Sequence, residues 1–413
     1  MRNDNRSSRL KDAIIAAFTE SAPSMRVQLD EFSVCDWKKI MFWLDVSGLA
    51  LYLLDQLILL GVEDCVPWEI LMRLWQNLDD NRKRTASLFN EAIAVNEEFR
   101  KRKITFALLK GITLWPESVP NIALRCQVDL DLLVRDSDAT EANAALGRLG
   151  YEVCAVSGNT REYKAGAFRT TTLKDIYKVR KERALDLHLL SAPSGRCDRL
   201  NRADFRRIKG EIFRVLSPPD VLVQQAIHLF KHMCSEHTRA FWVLEFWRHV
   251  MARHDDLEFW RTVDAIAANE WQADIAIGGA TMLTTLMFGE FAPYALTRWS
   301  DQLPPGIRLW IQMYGRRILL SDSPCSKLYL LLRPQLVSNP DTVRAARRRL
   351  MFPVHLPPRV TRGETGEPFV HRLNRYWAQT RFTFLRMRFH AGEGLRFAIE
   401  SLRWQRRLTG LTQ

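Results

Sequence analysis

The segment from Phe106 to Val134, FALLKGITLWPESVPNIALRCQVDLDLLV, constrains the fold more than any other stretch of this chain. A short apolar run ends in Lys110-Gly111, a loop with Pro116 and Pro120 leads to Arg125, and Val128 to Val134 then alternates around Asp129 and Asp131. Successive side chains on a strand face opposite ways, so Asp129 and Asp131 share one face while Leu130 and Leu132 point into a core. Two carboxylates on one face of a buried strand are costly unless a cation joins them. Oxygen-only ligation favours magnesium, with phosphates completing its shell.

The chain around this segment divides by pattern. From about Lys11 to Lys103 the periodicity is helical: Trp37 to Leu60 reads as a buried helix or a pair broken near Gly48, and a further helix spans Asn81 to Arg102 with Leu88, Ala92, Val95 and Phe99 on one face. Its basic end, Arg100 to Lys103, suits the helix dipole and is also a potential binding run. Ile104 to Leu109 and Val128 to Val134 read as strands, followed by a helix to Arg148, closed by Gly150, and an edge strand from Tyr151 to Val156. Lys174 to Arg180 and Ala184 to Leu190 are expected to pair as a hairpin through Lys181-Glu182-Arg183. In ALDLHLL, Asp186 and His188 share a face, which makes Asp186 the natural third carboxylate.

Ser217-Pro218-Pro219-Asp220 starts a helix that runs to about Cys234, and helices follow over 240–253, 257–269, 271–288 and 306–320. Pro353 to Pro368 reads as a linker and His371 to Leu408 as a basic, aromatic tail. The expected architecture is α+β: a small mixed sheet with an N-terminal helical segment (1–103), a sheet-bearing core (104–216), a larger helical domain (217–350), and a linker with its tail (351–413).

Asp129, Asp131 and Asp186 are candidate catalytic and metal-ligating residues. Carboxylates on neighbouring strands can clamp metal ions that stabilise the entering and leaving oxygens of phosphoryl chemistry, and Asp186 can also take the acceptor's proton. Gly111 permits close backbone approach to phosphate, Lys110 and Arg125 can neutralise its charge, and Thr113 offers a hydroxyl in the same turn. His188 stands beside Asp186 and can support a carboxylate or the substrate. His228 and His232 have the four-residue spacing of a zinc pair, but no carboxylate lies at matching spacing, which favours packing or a place lining the cleft.

The motifs LLKGITL, Arg125, DLDLLV, LGY, ALDLHLL and LSPPDVLVQQAIHLFKH, in that order, resemble the uncharacterised bacterial nucleotidyltransferase family of the DNA polymerase β-type superfamily. The likeness covers about Phe99 to Met251, and the Lys-Gly, Arg and Asp-x-Asp arrangement is more distantly similar to abortive-infection nucleotidyltransferase toxins. The resemblance implies transfer of a nucleoside monophosphate from a nucleoside triphosphate, ATP among them, with magnesium held by Asp129, Asp131 and Asp186. It leaves the acceptor open: a small molecule, a sugar phosphate, a peptide or protein side chain, or tRNA. The superfamily usually places Gly-Ser or Gly-Gly in the turn, where this chain has Gly111-Ile112-Thr113. That substitution keeps a second expectation open, a non-catalytic nucleotide- or nucleic-acid-binding regulator on the same fold.

A net charge of +13 favours polyanionic partners, and the arginine- and aromatic-rich tail offers a surface for nucleic acid or anionic lipid, or a packing strip on the helical domain. Seven scattered cysteines without a metal-like spacing suit free buried thiols, and no apolar run reaches the ~18 residues that span a bilayer. The expectation is a cytoplasmic protein.

Overall fold

The computed structural model describes residues 2–166, 175–191, 198–270, 272–321, 326–337, 340–351 and 369–410. Four helices come first: α1 (Arg2–Ala16), α2 (Ala22–Leu29), α3 (Val34–Ser47) and α4 (Ala50–Leu60). Ser33 caps α3, its hydroxyl accepting from the Asp36 amide while the Asp36 carboxylate accepts from the Ser33 amide. The exchange satisfies amides that a helix start leaves open. Gly48 ends the helix at φ 77°, and a Cβ there would lie 2.4 Å from the Phe241 ring. Handedness and packing therefore both require glycine at the break expected there. Across it α3 and α4 meet at 111°, and no single helix among the described residues is long and apolar enough to cross a membrane.

Helix α5 (Trp68–Lys101) starts well before the expected Asn81, because Pro67 sits at its N-cap and removes no internal hydrogen bond. Its 34 residues, about 50 Å at 1.5 Å per residue, connect two apolar cores. Ile70, Leu74 and Leu78 join the core built from the helices, whereas Phe89, Ala92, Val95 and Phe99 pack beneath the sheet.

The sheet contains β1 (Phe106–Leu109), β2 (Leu130–Arg135), then after α6 (Ala139–Arg148) β3 (Glu152–Ser157), β4 (Thr160–Ala165), β5 (Arg183–Leu190), β6 (Asp204–Ile208) and β7 (Glu211–Val215). Their order is β3-β4-β5-β2-β1-β7-β6, with β2 parallel to β5 and antiparallel to β1. The alternation read from sequence holds: Leu130, Leu132, Val134, Leu185 and Leu187 pack with α5 and α6, while Leu133 on the opposite face joins the helical core.

Two expectations fail here. Asp175 to Arg180 forms turns and irregular chain, and the antiparallel partner of β5 is β4, so the hairpin through Lys181-Glu182-Arg183 does not exist. The β6–β7 hairpin is an addition to the strands expected from the sequence. Its turn, Lys209-Gly210, has positive φ at both residues (47° and 91°), the backbone that two-residue hairpins prefer.

The C-terminal part is helical: α7 (Pro218–Met233), α8 (Ala240–Ala252), α9 (Leu257–Ala267), α10 (Ala273–Phe288), α11 (Tyr294–Asp301), α12 (Pro305–Trp310), α13 (Arg316–Leu320), α14 (Tyr329–Leu332), α15 (Pro340–Met351) and α16 (Phe369–Thr409). A π-helical turn over Ile311–Gly315 joins α12 to α13. The expected linker from Pro353 to Pro368 lies outside the described residues, and the tail is one helix of 41 residues. Cys35 and Cys154 are exposed rather than buried, and no disulfide occurs among the described residues.

Candidate active site

Strand register decides which charged side chains meet. Across the parallel pair Asp131 stands opposite Asp186, and across the antiparallel pair Leu109 stands opposite Asp131. Lys110, one residue beyond β1, therefore reaches the carboxylate, with Nζ 2.7 Å from Asp131 Oδ1. His188 Nε2 lies 2.9 Å from the same oxygen. A carboxylate only accepts, so His188 donates from Nε2, and its Nδ1 lies 3.1 Å from the Thr160 hydroxyl. Ligand atoms of Asp131, Asp186 and His188 all lie within 4.8 Å of one another, a grouping able to hold a metal ion. Asp129 lies just ahead of β2 and is not in that group.

The electrostatics separate the three aspartates. Burial pushes Asp131 up, but the His188 hydrogen bond and the Lys110 charge outweigh it and hold the group below the usual carboxylate range. Asp129 is raised by burial and by the negative charge of Asp131. Asp186 is raised to about 6 by burial, then by Asp129 and Asp131, with a smaller push from Glu162, its neighbour across β4. Lys110 pairs with Asp131, whereas Asp129 and Asp186 stay raised.

Lys110 and Gly111 turn with φ of 50° and 51°, and the Thr113 hydroxyl ties the turn by donating to the Lys110 carbonyl at 2.8 Å. A Cβ on Gly111 would fall 2.0 Å from the Gln127 amide, which itself donates to the Asp129 carbonyl at 2.7 Å. The absent side chain thus makes room for Gln127, which holds the start of the Asp-x-Asp segment. Arg125 is largely buried: its Nε donates to Glu245 at 2.9 Å, and the Tyr52 hydroxyl donates to the same carboxylate oxygen at 2.7 Å.

Beside Lys110 and Arg125 opens a pocket of about 560 Å³, lined also by Leu109, Thr113, Gln225, His228, Trp242 and Glu245. His228 and His232 belong to no group of three or more potential metal ligands among the described residues; their rings lie 4.5 Å apart and pack on Trp242 at centroid distances of 4.9 and 4.1 Å. Burial pulls His228 well below its ordinary value and His232 to about 4, so both rings are neutral at pH 7.

One wall of the pocket is tied by a buried network. Gln225 donates to the Ser118 hydroxyl at 3.0 Å, His249 Nδ1 lies 3.1 Å from both, and His249 Nε2 stands 2.9 Å from Glu117, which also pairs with Arg253 at 2.5 Å. Burial pushes Glu117 up, yet His249 and Arg253 together bring it down to about 2 from an ordinary 4.5. A depressed carboxylate contributes stability that is complete above its unfolded pKa and disappears as pH falls through the folded one. Glu117→Gln is therefore expected to be less stable than wild type at pH 7, with the difference closing between pH 4.5 and about 2. Urea unfolding of both proteins across that range checks the expectation.

The structure thus brings Lys110, Asp131, Asp186 and His188 together, with Asp129 beside them and Thr113 and Arg125 on the adjoining pocket. Gln127, Glu162, Glu245 and His249 escaped the sequence reading. Glu162 had a legible signal, an exposed acid on an alternating segment, whereas the others act only through partners distant in sequence.

A model of the family described as uncharacterised nucleotidyltransferase matches residues 33–289, more than half of the chain. Among solved structures the chain is similar to an antigenic nucleotidyltransferase-like protein from Paracoccidioides brasiliensis, with 11% identity and a TM-score of 0.29 over 53% of this chain and 97% of that one. No curated protein matches. The chain belongs to the uncharacterised nucleotidyltransferase family.

Proposed function

We propose that this protein transfers a nucleoside monophosphate from a nucleoside triphosphate to an acceptor hydroxyl, with residues 104–216 as the catalytic core between the N-terminal segment and the helical region 217–350. The observation that carries the reading is the convergence of Asp131, Asp186 and His188 within 4.8 Å on one face of the sheet, with Lys110 on Asp131. The donor set fits a hard divalent cation. Two carboxylates supply oxygen, and Asp186, raised to about 6 by burial and then by the charges of Asp129 and Asp131, is a group whose ionised form such an ion would favour. When bound by Asp131 and Asp186, with Asp129 beside them, magnesium would stabilise the entering and leaving oxygens of an in-line displacement.

The chain's own residues do the rest. His188 and Lys110 keep Asp131 ionised and oriented. Asp186 accepts the proton as the acceptor oxygen bonds to the α-phosphorus and the bond to the departing pyrophosphate breaks. Lys110 and Arg125 face the triphosphate from the pocket side, and Thr113 and Gln127 fix the turn that carries Lys110.

Incubation with each of the four triphosphates, with and without magnesium, tests the reading through pyrophosphate release. Release that requires magnesium and disappears on chelation supports it. Tight triphosphate binding without release under any acceptor mixture favours the second reading, a nucleotide-binding regulator in which Lys110 remains paired with Asp131.

A further inference from the structure

Helix α16 presents two different faces. Glu393, Phe397, Glu400 and Trp404 are buried against the body of the protein. Arg317 pairs with Glu400 at 2.8 Å, the Lys327 amide donates to Glu393 at 3.0 Å, and the Tyr314 ring lies 6.3 Å from that of Trp404. These contacts fix which side of the helix looks inward. At 3.6 residues per turn, steps of three and four residues keep side chains on one face. The outward face carries Leu373, Trp377, Phe384, Met387, Leu395 and Leu402, each between 57% and 68% exposed. This apolar stripe runs for about 45 Å.

Charge restricts what covers it. Between Phe369 and Gly392 the helix holds no acidic residue, and the exposed Arg381 and Arg388 flank the stripe, whereas Arg375 and Arg386 lie on the inward-looking side. The two glutamates farther along, Glu393 and Glu400, are both buried in ion pairs. A second copy laid along this stretch would set arginines against arginines in either direction, which is repulsive. Single-stranded nucleic acid would satisfy the arginines and could stack on Trp377 and Phe384, but the other four residues of the stripe, Leu373, Met387, Leu395 and Leu402, give no ring on which a base stacks. An anionic bilayer satisfies both halves of the pattern. Leucine, methionine and phenylalanine enter the boundary of the acyl region, tryptophan favours the headgroup level, and arginines meet the lipid phosphates.

We propose that the outward face of α16 is an interfacial membrane-binding surface for anionic lipid. It makes the protein a peripheral one, bound along a helix rather than through a span. This inference is independent of the reaction assigned to the sheet.

The test is co-sedimentation of the full chain with vesicles of phosphatidylglycerol and phosphatidylcholine, against vesicles of phosphatidylcholine alone. The expected result is binding at least tenfold stronger to the anionic vesicles, weakened by salt. Trp377→Asp with Phe384→Asp is expected to weaken it tenfold or more, while circular dichroism and pyrophosphate release stay unchanged. Should that double variant fail to fold, Arg381→Gln with Arg388→Gln keeps the apolar stripe and is expected to reduce both affinity and salt sensitivity.

Equal binding to neutral and anionic vesicles, or none to either, overturns the proposal. So does a dimer that the Asp double variant dissociates without any vesicle binding, which assigns the face to a second copy. Binding of single-stranded RNA in place of vesicles overturns it likewise.

Discussion

Asp131→Asn is expected to lower nucleotidyl transfer by about 1,000-fold, equivalent to roughly 4 kcal/mol of transition-state stabilisation at 1.36 kcal/mol per tenfold. The expected loss is large because Asp131 stands where three contributions meet: it faces Asp186 across the parallel strands, and it pairs with both Lys110 and His188. An amide of the same shape keeps the packing but removes the negative charge that holds Lys110 and that, in the proposed mechanism, would bind the cation. Initial rates of labelled-nucleotide transfer at saturating magnesium measure the effect, with circular dichroism as a check on folding. A variant within tenfold of wild type would place the chemistry elsewhere. Triphosphate affinity is expected to change far less than the rate, because Lys110 and Arg125 remain.

Glu245→Ala is expected to cost about 3–5 kcal/mol of stability, the usual consequence of removing one partner from a buried ion pair. Glu245 is buried and accepts from both Arg125 and Tyr52. Without it the Arg125 side chain, 12% exposed, keeps its charge and loses its counter-ion. At roughly 1 °C per kcal/mol for a chain of 413 residues, the melting temperature should fall by about 5 °C. The double replacement Arg125→Met with Glu245→Leu separates ion pairing from packing: it is expected to recover most of the loss, because no charge is then stranded. Guanidinium unfolding of the single and double variants measures both terms.

Where side-chain patterning was strong, the sequence was legible. Leu130, Leu132, Leu185 and Leu187 alternate with Asp131, Asp186 and His188, and a one-residue slip would have buried the charges and exposed the leucines. Gly48 and Gly150 marked helix ends because only a residue free to take positive φ closes them this way. The β6–β7 hairpin was harder to read: Asp204–Ile208 and Glu211–Val215 are short and half polar, with Phe205 and Ile212 exposed, so no apolar face announced them.

The supporting residues of the site were illegible for a different reason. Arg125 and Glu245 are 120 positions apart, Lys110 and Asp131 are 21, and Glu117 and His249 meet only after α7 and α8 have docked. No local periodicity encodes such pairings. The turn carries a related lesson. Gly111 suggested a phosphate approach, and its first structural consequence is the room it leaves for Gln127.

The most direct measurement is a crystal of the full chain grown with manganese and a non-hydrolysable triphosphate, with data collected for anomalous scattering from the metal. The expected result is a manganese peak bonded to carboxylate oxygens of Asp131 and Asp186, about 2.2 Å away, with the α-phosphate in contact and Lys110 turned from Asp131 toward phosphate. A triphosphate bound without metal between those carboxylates, with Lys110 still paired to Asp131, would contradict metal-assisted transfer at this site.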